Sequence, residues 1–180
     1  MSSTSTALKP FEYDAPDPLQ GIDCSQALSE DKAADGKSLI NPQRSNDDKL
    51  SPWYEGCPTT FTDKNNIFDF HIYYNMNSKG QVEHAKRLHE RIRREFPELR
   101  IYKFWENAVG PHPTAMFEVN TFTPAQTGAL MSFLVAYRAG LSVLIHPNTD
   151  DELRDHTDRA TWMGERYPLI TEMLRARPRF

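Results

Sequence analysis

The fold is decided by residues 68–97, FDFHIYYNMNSKGQVEHAKRLHERIRREFP. The first part, Phe68 to Tyr74, is rich in aromatic and β-branched residues and predicts a strand. Ser78 and Gln81 then form a capping-box pair ahead of apolar residues that recur every three or four positions, as in a helix with one buried face. Those apolar residues are Val82, Ala85, Leu88, Ile92 and Phe96. Pro97 cannot continue a helix, so the stretch predicts one strand followed by one helix.

The chain after Pro97 repeats this alternation of strand and helix. Strands are predicted over 99–105 and 114–122, joined by a turn. A second helix begins at the cap Thr123 and ends at Gly140, and 141–146 is a fourth strand. The order βαββαβ predicts a ferredoxin-like α+β fold, with two helices on one face of a four-stranded antiparallel sheet in the spatial order 4-1-3-2.

The segments on either side of this pattern are less regular. Residues 1–66 are polar and rich in proline and predict a partly ordered N-terminal arm, whereas 67–180 predict the domain. Within the domain, a short helix is predicted over 153–162 and a helical turn around 169–174. The sheet face away from the helices must be covered by the arm, by the C-terminal segment or by a second copy of the chain. A homodimer is therefore expected.

Charge and cysteine content exclude several classes of protein. The 180 residues carry a formal net charge of −4, with 21 Lys and Arg against 25 Asp and Glu, which predicts no nucleic-acid or membrane partner. Cys24 and Cys57 form no CxxC pattern, so a reducing compartment is favoured over a disulfide framework. No secretory leader or apolar stretch long enough to span a membrane is visible, and the cytoplasm is the expected location.

Histidines mark the candidate site. Alternation along the first strand places His71 and Tyr73 on the face away from the helices, and His146 at the end of the fourth strand shares that face. Glu118 on the third strand flanks His71 if its neighbours are buried under the helices. Two histidines and one carboxylate with open positions describe the facial triad of non-haem Fe(II) oxygenases. His112 lies before the third strand and reaches this site only if its turn folds back or a partner subunit supplies it, so the third ligand stays open.

Other features of the sequence favour ordinary roles. His84 and His89 lie among alternating charges on the first helix and are interpreted as part of its solvated face. A βαββαβ sheet is also the shape of an RNA-recognition motif, but residues 114–122 lack the basic and glycine residues that such a domain needs, and Glu118 would repel phosphate.

Four stretches resemble the DOPA 4,5-dioxygenase family of fungi and bacteria. They are Phe70-His71-Ile72-Tyr73, VGPHPTAMFEV at 109–119, GLSVLIHPNT at 140–149, and Asp155-His156-Thr157 followed by WMGE at 162–165. Together they occupy residues 67–168 in the expected order, which is far more specific than any single histidine. The first 66 residues lie outside the resemblance.

This resemblance implies extradiol cleavage of a catechol such as L-DOPA by O2 and non-haem Fe(II), giving a muconic semialdehyde. His71 and His146 are predicted as metal ligands, with His112 as the third and Glu118 as its competitor. His156 would be an acid or base near the metal, and Tyr73 would hydrogen-bond the substrate. Zinc or another divalent metal would also suit imidazole ligands. The natural catechol and the choice between 4,5 and 2,3 cleavage stay open.

Two other functions compete with this interpretation. The first is a non-catalytic dimeric ferredoxin-like protein that binds a small molecule on its open face, which predicts metal-free protein and no catechol turnover. The second is a zinc-dependent hydrolase in which Glu118 serves as the base beside a metal-activated water.

Overall fold

The computed structural model describes residue 19 and residues 24–42, 51–56 and 66–175. The chain divides into two compact units, Met1–Lys49 and Leu50–Phe180. In the first unit, Lys32 and Leu39 form an antiparallel bridge. Cys24 is exposed, whereas Cys57 lies outside the described residues. The boundary between arm and domain at residues 66 and 67 stays a prediction.

The second unit contains five strands and four α-helices in the part of the chain that the structure describes. The strands are β1 Phe68–Tyr73, β2 Arg100–Ile101, β3 Met116–Thr121, β4 Ser142–Pro147 and β5 Thr161–Met163. The helices are α1 Lys79–Glu95, α2 Pro124–Tyr137, α3 Glu152–His156 and α4 Glu172–Arg175. A short 3-10 helix, Pro52–Tyr54, lies beside α2. None of these helices has the length and apolar character that crossing a membrane requires.

The strand order confirms the predicted ferredoxin-like topology. The sheet runs β2-β3-β1-β4-β5, which is the predicted order with a fifth strand added at the edge of β4. The central strand β1 pairs antiparallel with both β3 and β4. His71 therefore has Glu118 on one side and Leu144 on the other, while His146 lies opposite Asp69.

The predicted caps begin both long helices. Ser78 Oγ accepts a hydrogen bond from Gln81 N at 3.4 Å, and Thr123 Oγ1 accepts one from Gln126 N at 3.1 Å. Each of these bonds satisfies an amide that the first turn of a helix leaves unpaired. The two helices pack on one face of the sheet. The buried core on that face includes Phe70, Ile72, Ala85, Leu88, Ile92, Phe117, Val119, Leu130, Leu134, Val143 and Ile145.

The second strand is shorter than predicted. Regular pairing is confined to Arg100–Ile101, and Trp105 returns to the ladder as an isolated bridge with Met116. The chain advances four residues from Ile101 to Trp105, while the partners advance three, from Val119 to Met116. The extra residue on one side interrupts the ladder, as a β-bulge does.

The helix predicted over residues 153–162 is present only in its first part. The helix α3 ends at His156, and Thr161–Met163 forms β5, which pairs antiparallel with β4. The local sequence suits a helix, but the exposed edge of β4 offers backbone hydrogen bonds that only tertiary structure reveals. The final helical turn also lies slightly later than predicted, at Glu172–Arg175.

The face of the sheet away from α1 and α2 is covered by the C-terminal segment. Tyr73, Met116 and Leu144 form a second buried cluster there. Ala160, Trp162, Tyr167 and Leu169 pack against it, together with Trp105 and Val109. One of the three predicted ways of covering this face is therefore observed, and the homodimer stays a prediction.

Candidate metal centre

Four histidines from four separate segments meet on this second face. His71 lies in β1, His146 near the end of β4, His112 in the turn before β3 and His156 at the end of α3, and all four are buried. The ring centroids of His71 and His112 are 4.1 Å apart, and those of His146 and His156 are 3.9 Å apart. The Nε2 atoms of His71 and His146 are separated by 3.0 Å, so the predicted pair does converge.

A tight turn brings His112 to the cluster. His112 N donates a hydrogen bond to Val109 O at 3.1 Å, and Gly110 has φ of 56°. A positive φ at the first central position is typical of a type II′ turn, where glycine avoids the strain of a Cβ. The turn is also tied to the C-terminal segment, because Ile170 N donates to Pro111 O at 2.9 Å. His112 therefore reaches His71 within one chain.

Backbone carbonyls fix the orientation of two of the rings. His146 Nδ1 lies 2.8 Å from Pro147 O, and His156 Nδ1 lies 2.9 Å from Glu152 O. Because a carbonyl oxygen only accepts, Nδ1 of each ring carries the hydrogen and donates it. In a neutral imidazole the lone pair then lies on Nε2. Both rings therefore present a potential ligand atom on the side away from the backbone.

The other two rings have side-chain partners at Nδ1. His112 Nδ1 lies 2.6 Å from the hydroxyl of Tyr73. His71 Nδ1 lies 3.9 Å from Glu118 Oε2, and this buried nitrogen has no hydrogen-bond partner among the described residues. In proteins that bind a metal through histidine, the second ring nitrogen is generally held by such an outer carboxylate, carbonyl or hydroxyl. The Nδ1 atoms of His112, His146 and His156 fit this pattern, whereas that of His71 only faces Glu118.

Burial keeps the histidines neutral. It lowers the pKa of His71 well below its ordinary value, with neighbouring His112 adding to the effect, and it lowers the pKa of His146 as well. The same cause brings the pKa of His112 to about 3 and that of His156 to about 4. A metal ion binds the neutral form of imidazole, so no proton has to leave these rings at neutral pH.

A pair of carboxylates lies beside the histidines, and of the two the sequence interpretation found Glu118 and missed Asp69. Asp69 Oδ2 is 3.9 Å from His146 Nε2. The amides of Asn66 and Asn120 both donate to Asp69 Oδ1, and Asn120 also donates to Glu118 Oε1 at 2.8 Å. Burial raises the pKa of Asp69, and burial followed by the charge of Asp69 raises the pKa of Glu118 to about 7. The signal was available, because Asp69 precedes His71 by two residues and shares its face.

Ligand atoms in two overlapping groups are close enough to share one ion, and the predicted ligands His112 and His146 fall in different groups. Two groups each have ligand atoms within 4.8 Å of one another, namely His71, His112 and His156, and Asp69, His71 and His146. Two nitrogen ligands about 2.1 Å from one ion and at right angles lie about 3.0 Å apart, whereas a tetrahedral angle gives about 3.4 Å. The Nε2 separation of His71 and His146 therefore suits adjacent octahedral positions, and in the metal-free protein it suits a hydrogen bond. The cluster could bind a metal.

A cavity of about 670 Å³ opens onto the cluster. Its lining consists of Asp69, His71, Pro111, His112, Glu118, His146, Asn148, Thr149, Asp150, Glu152, Asp155 and His156. The volume is in the range of cavities that hold small molecules. A small ligand in this cavity would meet the four imidazoles and a group of carboxylates.

The structure separates the predicted site residues into three groups. The first, His71, His112, His146 and His156, lines the cavity together. The second, Glu118, also lines it but lies against Nδ1 of His71. The third, Tyr73, is fully buried, is absent from the lining and contacts His112 instead. The roles themselves stay predictions. His84 and His89, which the sequence placed outside the site, bind the backbone carbonyls of Tyr137 and Tyr102, respectively.

A ferredoxin-like sheet with buried imidazoles on one face defines a protein with a candidate metal centre, and comparisons identify its family. Residues 68–173 match the Dopa 4,5-dioxygenase family. The chain belongs to this family of dioxygenases.

Individual relatives agree with this membership. An uncharacterized 21.2 kDa protein of Botryotinia fuckeliana is 48% identical over 178 residues, covering 92% of this chain and 93% of that protein. A DOPA 4,5-dioxygenase of Amanita muscaria is 35% identical over 106 residues, covering 56% of this chain and 46% of that enzyme. A crystal structure from Nostoc punctiforme, of a protein provisionally described as a dioxygenase, is 31% identical with a TM-score of 0.56, covering 61% of this chain and 91% of that one.

Proposed function

We propose that the protein is an extradiol dioxygenase that cleaves a catechol such as L-DOPA with O2 and non-haem Fe(II), giving a muconic semialdehyde. The observation that carries this proposal is the set of four buried imidazoles. Three of them have Nδ1 bonded to an outer group, and the fourth, His71, has Nδ1 3.9 Å from Glu118 Oε2. An iron ion held by neutral imidazoles would keep its full positive charge, and it would supply the redox and Lewis-acid chemistry that ring cleavage of a catechol needs. Family membership and the name of the Amanita muscaria relative support the same chemistry.

His71, His112 and His146 are the proposed ligands, through Nε2. For His112 this requires Nδ1–H to donate to the Tyr73 oxygen, so Tyr73 is proposed as a positioning residue for that ring. For His71 it requires the ring hydrogen to lie on Nδ1, where the carboxylate of Glu118 is the nearest acceptor that the structure describes. Glu118 thus has the place of an outer partner of a ligand.

His156 is the proposed acid and base. Its Nδ1–H is held by Glu152 O, so Nε2 carries the lone pair on a neutral ring. A catechol binding in the cavity has to lose at least one hydroxyl proton, and Nε2 of His156 can accept it. The same nitrogen can return that proton when the ring-opened product forms.

The experiment is to load the full-length protein with Fe(II) without oxygen, add L-DOPA or another catechol, and then admit O2. We expect oxygen uptake together with a yellow semialdehyde chromophore. The His71→Ala variant should lose both iron and turnover. The matched control is His84→Ala, which removes an imidazole on α1 that binds a backbone carbonyl outside the cluster.

Metal analysis separates the competing functions. Full iron content in the His71→Ala protein would refute the ligand assignment. Protein that binds no iron and turns over no catechol would favour a non-catalytic binding role. Activity that depends on zinc and not on iron would favour a hydrolase.

A further inference from the structure

The charge of the cavity lining points to a narrower class of substrate than catechols in general. Among the residues described, the lining contains five carboxylates and no lysine or arginine. Resting on the proposed function, we propose that this cavity selects catechols with a cationic side chain, such as catecholamines, over catechols with a carboxylate. The charge of the lining, and not its shape, carries the inference.

Two arginines that contact lining residues or their partners are engaged with other groups. Arg159 Nη1 donates to Asp155 Oδ1 at 2.9 Å and to Thr149 Oγ1 at 2.5 Å. Arg100 lies over the ring of Phe122 and within 3.5 Å of Asn120 Oδ1. A substrate carboxylate would have to compete with these partners for a cation, and the lining offers it no alternative within the described residues.

The five carboxylates are not equivalent. Asp155 is paired with Arg159, while Asp69 and Glu118 accept hydrogen bonds from asparagine amides beside the histidines. Asp150 comes from the segment between β4 and α3 and is exposed, and Glu152 is the first residue of α3. We assign the selectivity to Asp150 and Glu152, because both line the cavity and neither is a carboxylate placed beside a proposed ligand.

The two ends of a catechol meet different surroundings. If the diol binds at the imidazoles, the substituent meets the rest of the lining, which among the described residues offers carboxylates and no lysine or arginine. An ammonium there gains attraction, and a carboxylate there meets like charge. L-DOPA carries both groups, and we expect it to bind between the two extremes.

The test uses three catechols of similar size, namely dopamine with a positive side chain, 4-ethylcatechol with a neutral one and 3,4-dihydroxyphenylacetate with a negative one. Their binding to the Fe(II)-loaded full-length protein is measured by calorimetry without oxygen, and turnover is then measured by oxygen uptake. We expect affinity to fall in that order, with about a tenfold span in Kd at low salt that shrinks as salt rises.

A double variant locates the effect. In Asp150→Asn/Glu152→Gln the span should contract several-fold, while the control Glu83→Gln, which removes an exposed carboxylate on α1, should leave it unchanged. Tighter binding of 3,4-dihydroxyphenylacetate, equal binding of all three, no binding of any, or an unchanged span in the double variant would each overturn the inference.

The binding measurement tests the charge selectivity, and the turnover measurement tests the proposed reaction, so the two proposals can be refuted separately. The expected order of affinity without oxygen uptake would refute the proposed reaction and leave the charge selectivity standing. Oxygen uptake with every catechol at equal affinity would refute the charge selectivity and leave the proposed reaction standing.

Discussion

The two faces of the central sheet bury different kinds of side chain from the same strands. On one face β1 places Phe70 and Ile72 under α1 and α2, in an apolar core. On the other it places Asp69, His71 and Tyr73 among imidazoles, carboxylates and the C-terminal segment. Burying apolar side chains stabilises the fold, whereas burying ionisable groups costs free energy unless they are neutral or partnered. The first face therefore stabilises the fold, and the second holds the groups that could perform chemistry.

The largest expected effect comes from removing an imidazole on the second face. In His146→Ala, iron affinity should fall by more than about 100-fold, since loss of an outer partner alone costs about 10- to 100-fold. The metal-free variant should remain folded, because the residue removed is polar and not part of the apolar core. Iron analysis after desalting and circular dichroism measure the two properties, and a variant that keeps its iron would break the assignment of this face.

The next effect concerns the helix-covered face. Phe117 is fully buried there, and Phe117→Ala should lower the free energy of unfolding by about 3 to 5 kcal/mol. The control Val135→Ala, at an α2 position that is 67% exposed, should change it by less than about 0.5 kcal/mol. Urea denaturation of both variants gives the numbers. Similar losses in the two would show that this face is not the stabilising one.

A third prediction concerns the pH dependence of the free energy of unfolding, to which the ionisable groups on the histidine-bearing face contribute. The four histidines have lowered pKa values, so in metal-free protein they contribute stability that is lost as pH falls through about 6.5. Asp69 and Glu118 have raised pKa values and oppose this, because their contribution is lost as pH rises toward about 7.

The four histidines outnumber the two carboxylates, so between about pH 6.5 and 5 the unfolded chain binds more protons than the folded protein. The free energy of unfolding should therefore fall by roughly 2 to 3 kcal/mol for each unit by which the pH is lowered. Urea denaturation of metal-stripped protein across this range measures the slope. The His146→Ala protein, with one imidazole fewer, should have a shallower slope, and a slope of opposite sign would contradict neutral burial of the histidines.

The smallest effect tests the outer partner of His112. Tyr73→Phe removes one hydroxyl and keeps the ring that stacks on Trp162 at 5.7 Å. Iron affinity should fall by about 10- to 100-fold with little change in unfolding free energy. Metal titration against a competing chelator measures it. Unchanged iron affinity with weaker catechol binding would instead favour Tyr73 as a substrate contact.

The helix-covered face could be predicted from sequence almost completely. Apolar spacing located α1 and α2, the caps Ser78 and Thr123 began both helices, and strand alternation placed Phe117 and Val119 under them. Local pattern is sufficient there because each element buries one continuous apolar stripe. The same alternation placed His71 and His146 on the other face.

The histidine-bearing face was harder to predict, because loops and edges build much of it. The position of His112 depends on the φ of Gly110, and β5 depends on the open edge of β4. Neither leaves a periodic signal in the sequence. Asp69 was missed for a different reason, since its parity with His71 was visible but Glu118 was the only strand carboxylate considered for the metal site.

The origin of the four imidazoles in four distant segments has a consequence for how the domain holds together. His71 and His146 are 75 residues apart in sequence, so an ion bound to both would act as a cross-link that closes a long loop. The turn at Gly110 would be tied to the same point through the third proposed ligand, His112. Occupancy would thus couple the opening of these segments, and their amide hydrogens would exchange together and more slowly when the ion is present.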